Sequence, residues 1–123
     1  MSIGDTVFDN GLSTITSNAT RLDICSTDPG TTYATVTGNT LGNKTSITVG
    51  SPADAATGTG RRVVVSAITD GTVTGNGTAS HWAITNATDT VYASGTITGG
   101  GQTVTSGNTF TLDAIDVIIR DPV

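Results

Sequence analysis

The fold that this sequence predicts is all-β: an antiparallel β-sandwich or jelly-roll-like domain with one short N-terminal helix. Three observations point there. Threonine makes up about a fifth of the chain and Gly supplies 16 of its 123 residues. Thr suits a pleated, half-buried surface, and Gly suits turns. All ten acidic residues are Asp, so Glu is missing and the other strong helix formers, Lys and Leu, are scarce. From residue 61 onward short apolar runs alternate with turn signals, the cue for roughly seven strands in a sandwich or barrel. A chain of this size can bury roughly two thirds of its unfolded surface. One domain is therefore expected over 1–123, with a helical segment at 1–19 and the β-sandwich at 20–123.

Taken in order, the first element is the helix. Asp5 is a candidate cap, and Phe8, Leu12 and Ile15 recur at helical spacing to form one apolar stripe. Gly11 weakens this helix and Asn18 is its expected stop. RLDICS follows as a strand, with Leu22 and Ile24 on one face and Arg21, Asp23 and Cys25 on the other. Residues 26–44 read as mostly irregular, opened by the turn Asp28-Pro29-Gly30. TSITV (45–49) is a short expected strand, and SPADAATGTG (51–60) a second long loop. RRVVVSAIT then runs into Asp70-Gly71, the strongest short hairpin signal in the chain, followed by TVT. Asn76-Gly77 marks a bulge or bend before TASHWAIT. Asn86–Asp89 turns the chain into TVYASGTIT, glycines 99–101 turn it into QTVT, and Ser106-Gly107-Asn108 into TFTLDAIDVIIRD. In that last run the apolar side changes, which a bulge near Asp113–Ile115 would produce. In HWAIT, Trp82 shares a face with Ile84 and is expected to point into the core, while His81 leaves the opposite face.

Charge excludes several partner classes. With five basic residues against ten acidic ones, the net charge is −5, and no cluster of Lys and Arg is available to neutralise phosphates. No nucleic acid and no membrane is expected as a partner, since no stretch approaches the roughly 20 apolar residues of a span. The start MSIGDTVF lacks the regions of a signal peptide, so assembly in a cytoplasm is expected. A lone cysteine cannot build a disulfide framework. Cys25 reads as a buried free thiol, the other reading being a bridge between subunits.

Catalytic chemistry finds little support. A nucleophilic triad would require His81, the single histidine, to meet Cys25 or a serine, and no G-x-S-x-G elbow accompanies it. One His and one Cys do not make a zinc cluster, and the loop carboxylates Asp28, Asp54, Asp70 and Asp89 lack a D-x-D-x-D-G run. No phosphate-cradling loop leads into a helix. No enzyme activity, cofactor or metal is expected. Arg61 and Arg62 are candidates for interface salt bridges with an acidic neighbour, and His81 for a subunit-interface contact.

The segments TRLDICS, TLGNKT and SPADAATGTGRRVVVSAITDGTVTGNGTASHWAIT, followed by TDTVYASGTI and QTVTSGNTFTLDAIDVIIRDP, resemble a family of small virion structural proteins of tailed bacteriophages. The tryptophan-containing strand, the short acidic turn, and the T-V-x-x-G-N-T-F-T-L strand pair carry the likeness. It covers most of the chain, most clearly from about residue 61. The resemblance implies a structural virion protein and leaves its place in the virion open. Small size, the absence of a fibre repeat, and the N-terminal helical segment and two long loops as docking surfaces favour a head decoration (cement) protein that binds and stabilises the assembled lattice of the major capsid protein. That role implies a homotrimer or other homo-oligomer located on the capsid surface of the virion. The alternative is a tail-fibre or baseplate module recognising a host surface glycan, with Tyr33 or Tyr92 as stacking residues.

Overall fold

The computed structural model describes residues 3–99 and 101–121. Eleven strands and two helices follow one another as α1 (Asp5–Asn18), β1 (Arg21–Cys25), α2 (Tyr33–Asn39), β2 (Thr40–Thr45), β3 (Ala53–Asp54), β4 (Arg61–Val65) and β5 (Ile68–Val73). Then come β6 (Gly77–Ala79), β7 (His81–Thr85), β8 (Val91–Thr96), β9 (Gln102–Val104), β10 (Thr109–Leu112) and β11 (Ile115–Ile119). All strand pairs are antiparallel. A six-stranded sheet has the order β10-β5-β2-β1-β7-β8, a three-stranded sheet the order β11-β4-β3, and β6 pairs with β9. The class is all-β and sandwich-like, with the expected N-terminal helix.

The main core lies between the two larger sheets. Leu22, Ile24, Val73, Ile84 and Phe110 from the six-stranded sheet meet Val63 and Val65 from the other. The stripe Phe8, Leu12, Ile15 of α1 is buried, and α1 packs on β4. Arg61 ties that contact together, its guanidinium held by Asp9 of α1 at 2.8 Å and by Asp54 of β3 at 2.6 Å. These hydrogen bonds, donated first to Asp9 and then to Asp54, raise the Arg61 pKa above its ordinary value.

Several sequence expectations need correction. The N-cap of α1 is Gly4, with no side-chain cap, so Asp5 serves as an acidic residue of the first turn and stabilises the positive helix end rather than capping it. Asn18 does end the helix, folding its Nδ2 back to the Thr14 carbonyl. Residues 33–39, expected to be irregular, form a second helix, so the fold carries two helices and not one. The strand after it is TLGNKT, not TSITV. Ser46 has φ of +56° and breaks the extended run, leaving Val49 as an isolated bridge to Val65.

The expected hairpin at Asp70-Gly71 is absent. Both residues lie inside β5, where Gly71 faces Phe110 across the sheet. A Cβ at Gly71 would sit 2.3 Å from the Phe110 ring. That glycine makes room for an aromatic ring, not for a turn. The chain instead changes sheet at Ser66-Ala67, between β4 and β5. It does so again at Asp113-Ala114, so a sheet crossover and not a bulge shifts the apolar side in the last run.

Candidate functional site

Three places bring together side chains with chemical potential. The first is the outer face of β1 and β7, where the register sets Cys25 directly opposite His81 and Asp23 opposite Ala83. The sole thiol and sole imidazole are therefore cross-strand neighbours. Their surroundings make them structural. Cys25 is fully buried beneath α2 with Val36 and Ala83, and burial, helped by the Asp23 charge, pushes its thiol up to about 11. A reactive cysteine needs the opposite shift. Ser80 Oγ lies 2.8 Å from His81 Nδ1 and donates to the Ser26 carbonyl at 3.0 Å. A hydroxyl has one proton, so the serine accepts from the imidazole, which must carry its proton on Nδ1. A histidine in that tautomer cannot deprotonate Ser80, and the relay fastens β7 to the segment after β1.

The second place is a buried polar cluster under the same helix. Asp23, 1 % exposed, takes Arg21 Nε at 2.7 Å on one oxygen. Its other oxygen accepts from Thr40 Oγ1 at 2.8 Å. Arg21 also donates from Nη2 to Tyr33 Oη at 3.0 Å. Burial opposes the Arg21 charge, but Asp23 and Tyr33 more than offset it and its pKa is raised. The cluster joins β1, β2 and the first residue of α2. Alternation in RLDIC places Arg21 and Asp23 on one face; the partners Tyr33 and Thr40 had no sequence signal, because the helix that brings Tyr33 there was read as loop.

The third place is a shallow open cleft of about 240 Å³ at one end of the sandwich. Trp82, Gln102, Thr111 and Asp113 line it, with Leu112 and Ile115 among its apolar walls. Trp82 points to the core side with Ile84, as alternation requires, but it is only half-buried and packs at the edge of the core. Its indole lies against Gly95 of β8, where a Cβ would come within 2.7 Å. Gln102 Nε2 donates to the Thr111 carbonyl at 2.7 Å, closing one wall. The cleft offers an aromatic surface beside a carboxylate and hydroxyls. Tyr33 is bound to Arg21, and Tyr92 packs partly against the core. Trp82 is thus the aromatic residue that borders this open concavity.

The residues expected at an interface are engaged within the chain. Arg61 holds Asp9 and Asp54, and Arg62 Nη1 meets Asp116 at 2.7 Å. His81 is half-buried and anchored by Ser80. Among the described residues no group of three or more His, Cys, Asp or Glu side chains is placed to hold a metal ion. Among the described residues no helix is long and apolar enough to cross a membrane. No family model matches the chain, and no curated protein or solved structure matches it either.

Proposed function

We propose that the protein is a non-enzymatic structural component of a tailed-phage virion, a decoration protein that binds the assembled lattice of the major capsid protein on the capsid surface. One observation supports a building-block role above others. All five cationic side chains act as internal fasteners. Arg21 closes β1 on α2 through Tyr33, Lys44 spans from β2 to Asp70 of β5, Arg61 joins α1 to β3, and Arg62 joins β4 to β11. Arg120 donates from Nη1 to the Thr57 and Thr59 carbonyls and pins the loop before β4. What faces outward is a neutral to acidic surface rich in threonine hydroxyls. Such a surface suits many weak contacts repeated over a lattice, where multivalency multiplies modest affinities. Binding only to the assembled state stabilises that state by mass action.

The test is sedimentation of purified protein with capsid shells lacking it, followed by cryo-EM of the pellet. Regular density on the shell and a higher shell melting temperature are expected. Failure to co-sediment, or density on tails alone, rejects the decoration role. A second reading, glycan recognition by a tail module, draws on the Trp82 cleft. A sugar stacking there would shift the emission of the sole tryptophan, and an unchanged spectrum across a monosaccharide panel rejects it.

A further inference from the structure

We infer that the free edge of β11 is a self-association surface, pairing with β11 of a second copy of this chain about a twofold axis through Val117. The backbone of β4 fixes which groups face that edge. Val64 accepts from Gly50 N at 2.9 Å, and Gly60 accepts from Ala55 N at 3.1 Å. Both acceptors lie on the β3 side of β4. In an extended strand N–H and C=O of one residue point the same way and alternate along the chain. Val63 and Val65 therefore bond β11, through their partners Val117 and Ile115. The backbone groups of Asp116 and Ile118 face outward. No backbone or side-chain hydrogen bond to them occurs among the described residues outside the ladder.

The outer edges of the six-stranded sheet and of β3 are guarded. The β10 edge has Gln102 bonded to Thr111 O, and β3 is two residues long. On β8, Ser94 reaches Gly30 O, and a register shift between Ile84 and Thr85 disturbs the ladder to β7. The run Ile-Asp-Val-Ile-Ile of β11 has no Lys, no Pro and no register shift, the devices that normally blunt an edge. Its single charge, Asp116, is neutralised by Arg62 of the same chain.

The occupant follows from the pattern. Two outward residues, Asp116 and Ile118, flank Val117. Antiparallel pairing of two copies about Val117 sets Asp116 opposite Ile118 of the second copy, and the reverse, so that all four outward N–H groups find carbonyls. Val117 then meets its own symmetry mate in a non-hydrogen-bonded pair, and Ile115 meets Ile119. Those three side chains share the inner face, where Ile115, Val117 and Ile119 are only partly buried against the core. A second β11 would cover them. This inference rests on the edge alone and stands or falls separately from the virion role. It selects a dimeric unit where a homotrimer was among the expectations.

Light scattering on the purified protein should give twice the 12.3 kDa chain mass. Val117→Cys should form an intermolecular disulfide under mild oxidation, since a non-hydrogen-bonded pair brings Cα atoms to about 4.5 Å. Wild type should not, because Cys25 is buried. Ile118→Pro removes an outward N–H that β4 does not use. It should give a monomer with an unchanged circular dichroism spectrum. A monomeric wild type with no Val117→Cys cross-link overturns the inference, as does a trimer without that cross-link. So does an Ile118→Pro protein that stays dimeric.

Discussion

Replacing Asp23 by alanine should destabilise the protein by about 3 kcal/mol, a value that follows from what the carboxylate holds. Two hydrogen bonds are lost, from Arg21 Nε at 2.7 Å and Thr40 Oγ1 at 2.8 Å. Bonds to a charged group contribute about 1.5–3 kcal/mol each. Removing one partner of a buried ion pair costs about 3–5 kcal/mol, because the other charge stays unpaired. Arg21 retains 20 % side-chain exposure and keeps its bond to Tyr33, so it can turn part of its guanidinium to water. That relief places the expectation at the lower end. Urea unfolding followed by the emission of Trp82 measures it. Arg21→Met with Asp23→Leu in the same chain should restore most of the loss, because the desolvation cost vanishes with both charges. A loss below about 1 kcal/mol for Asp23→Ala would show that the pair behaves as a surface ion pair and would refute the reasoning. So would a double variant no more stable than the single one.

Further outcomes follow from packing and titration. Gly71→Ala should cost about 1–3 kcal/mol by overpacking against Phe110, whereas Gly38→Ala in α2, where nothing lies within 4 Å of a new Cβ, should stabilise by up to about 1 kcal/mol; chemical denaturation compares the two. Trp82→Ala should cost about 2 kcal/mol by circular dichroism, less than the roughly 3–5 kcal/mol of a fully buried aromatic, because the indole borders the open cleft. The Cys25 thiol, raised from 9.0 to about 11, stays protonated in the fold after the unfolded chain has lost its proton. Stability should therefore fall between about pH 9 and 11, by up to about 3 kcal/mol. Cys25→Ala should flatten that slope, and native protein should resist thiol reagents at pH 8.

How much of this was legible in the residues depended on range. Phe8, Leu12 and Ile15 announced α1 because helical spacing is a local signal, and the asparagine and glycine turns at 86–89 and 106–108 were equally local. Asn86 Oδ1 does accept from the Thr88, Asp89 and Thr90 amides at 3.0 Å. Asp70-Gly71 misled because the same dipeptide that favours a hairpin also makes space for a ring, and Phe110 lies 39 positions away along the sequence. The 33–39 helix was hidden by Thr and Gly, poor helix formers that tertiary cover overrides. Alternation gave the side of Trp82 correctly. It could not tell that β7 begins at the mouth of the cleft, where Gln102 of β9 and Asp113 of the β10–β11 crossover also arrive. The Cys25–His81 juxtaposition required the strand order itself, since β1 and β7 are separated by five intervening strands in sequence.

The crossovers at Ser66-Ala67 and Asp113-Ala114 also set the order in which the molecule can be finished. Until β11 is available, β4 has only the two residues of β3 and the bridge at Val49 beside it. Arg61 pairs with Ile119, 58 positions later, so α1, which packs on β4, has an incomplete platform until β11 is in place. Closing such distant pairings is entropically slow. Folding of β4 and α1 is thus expected to complete only once β11 has paired with β4. The edge at Asp116 and Ile118 comes into being only with that pairing, so a chain that has not yet paired β11 with β4 has no finished edge with which to capture a neighbour.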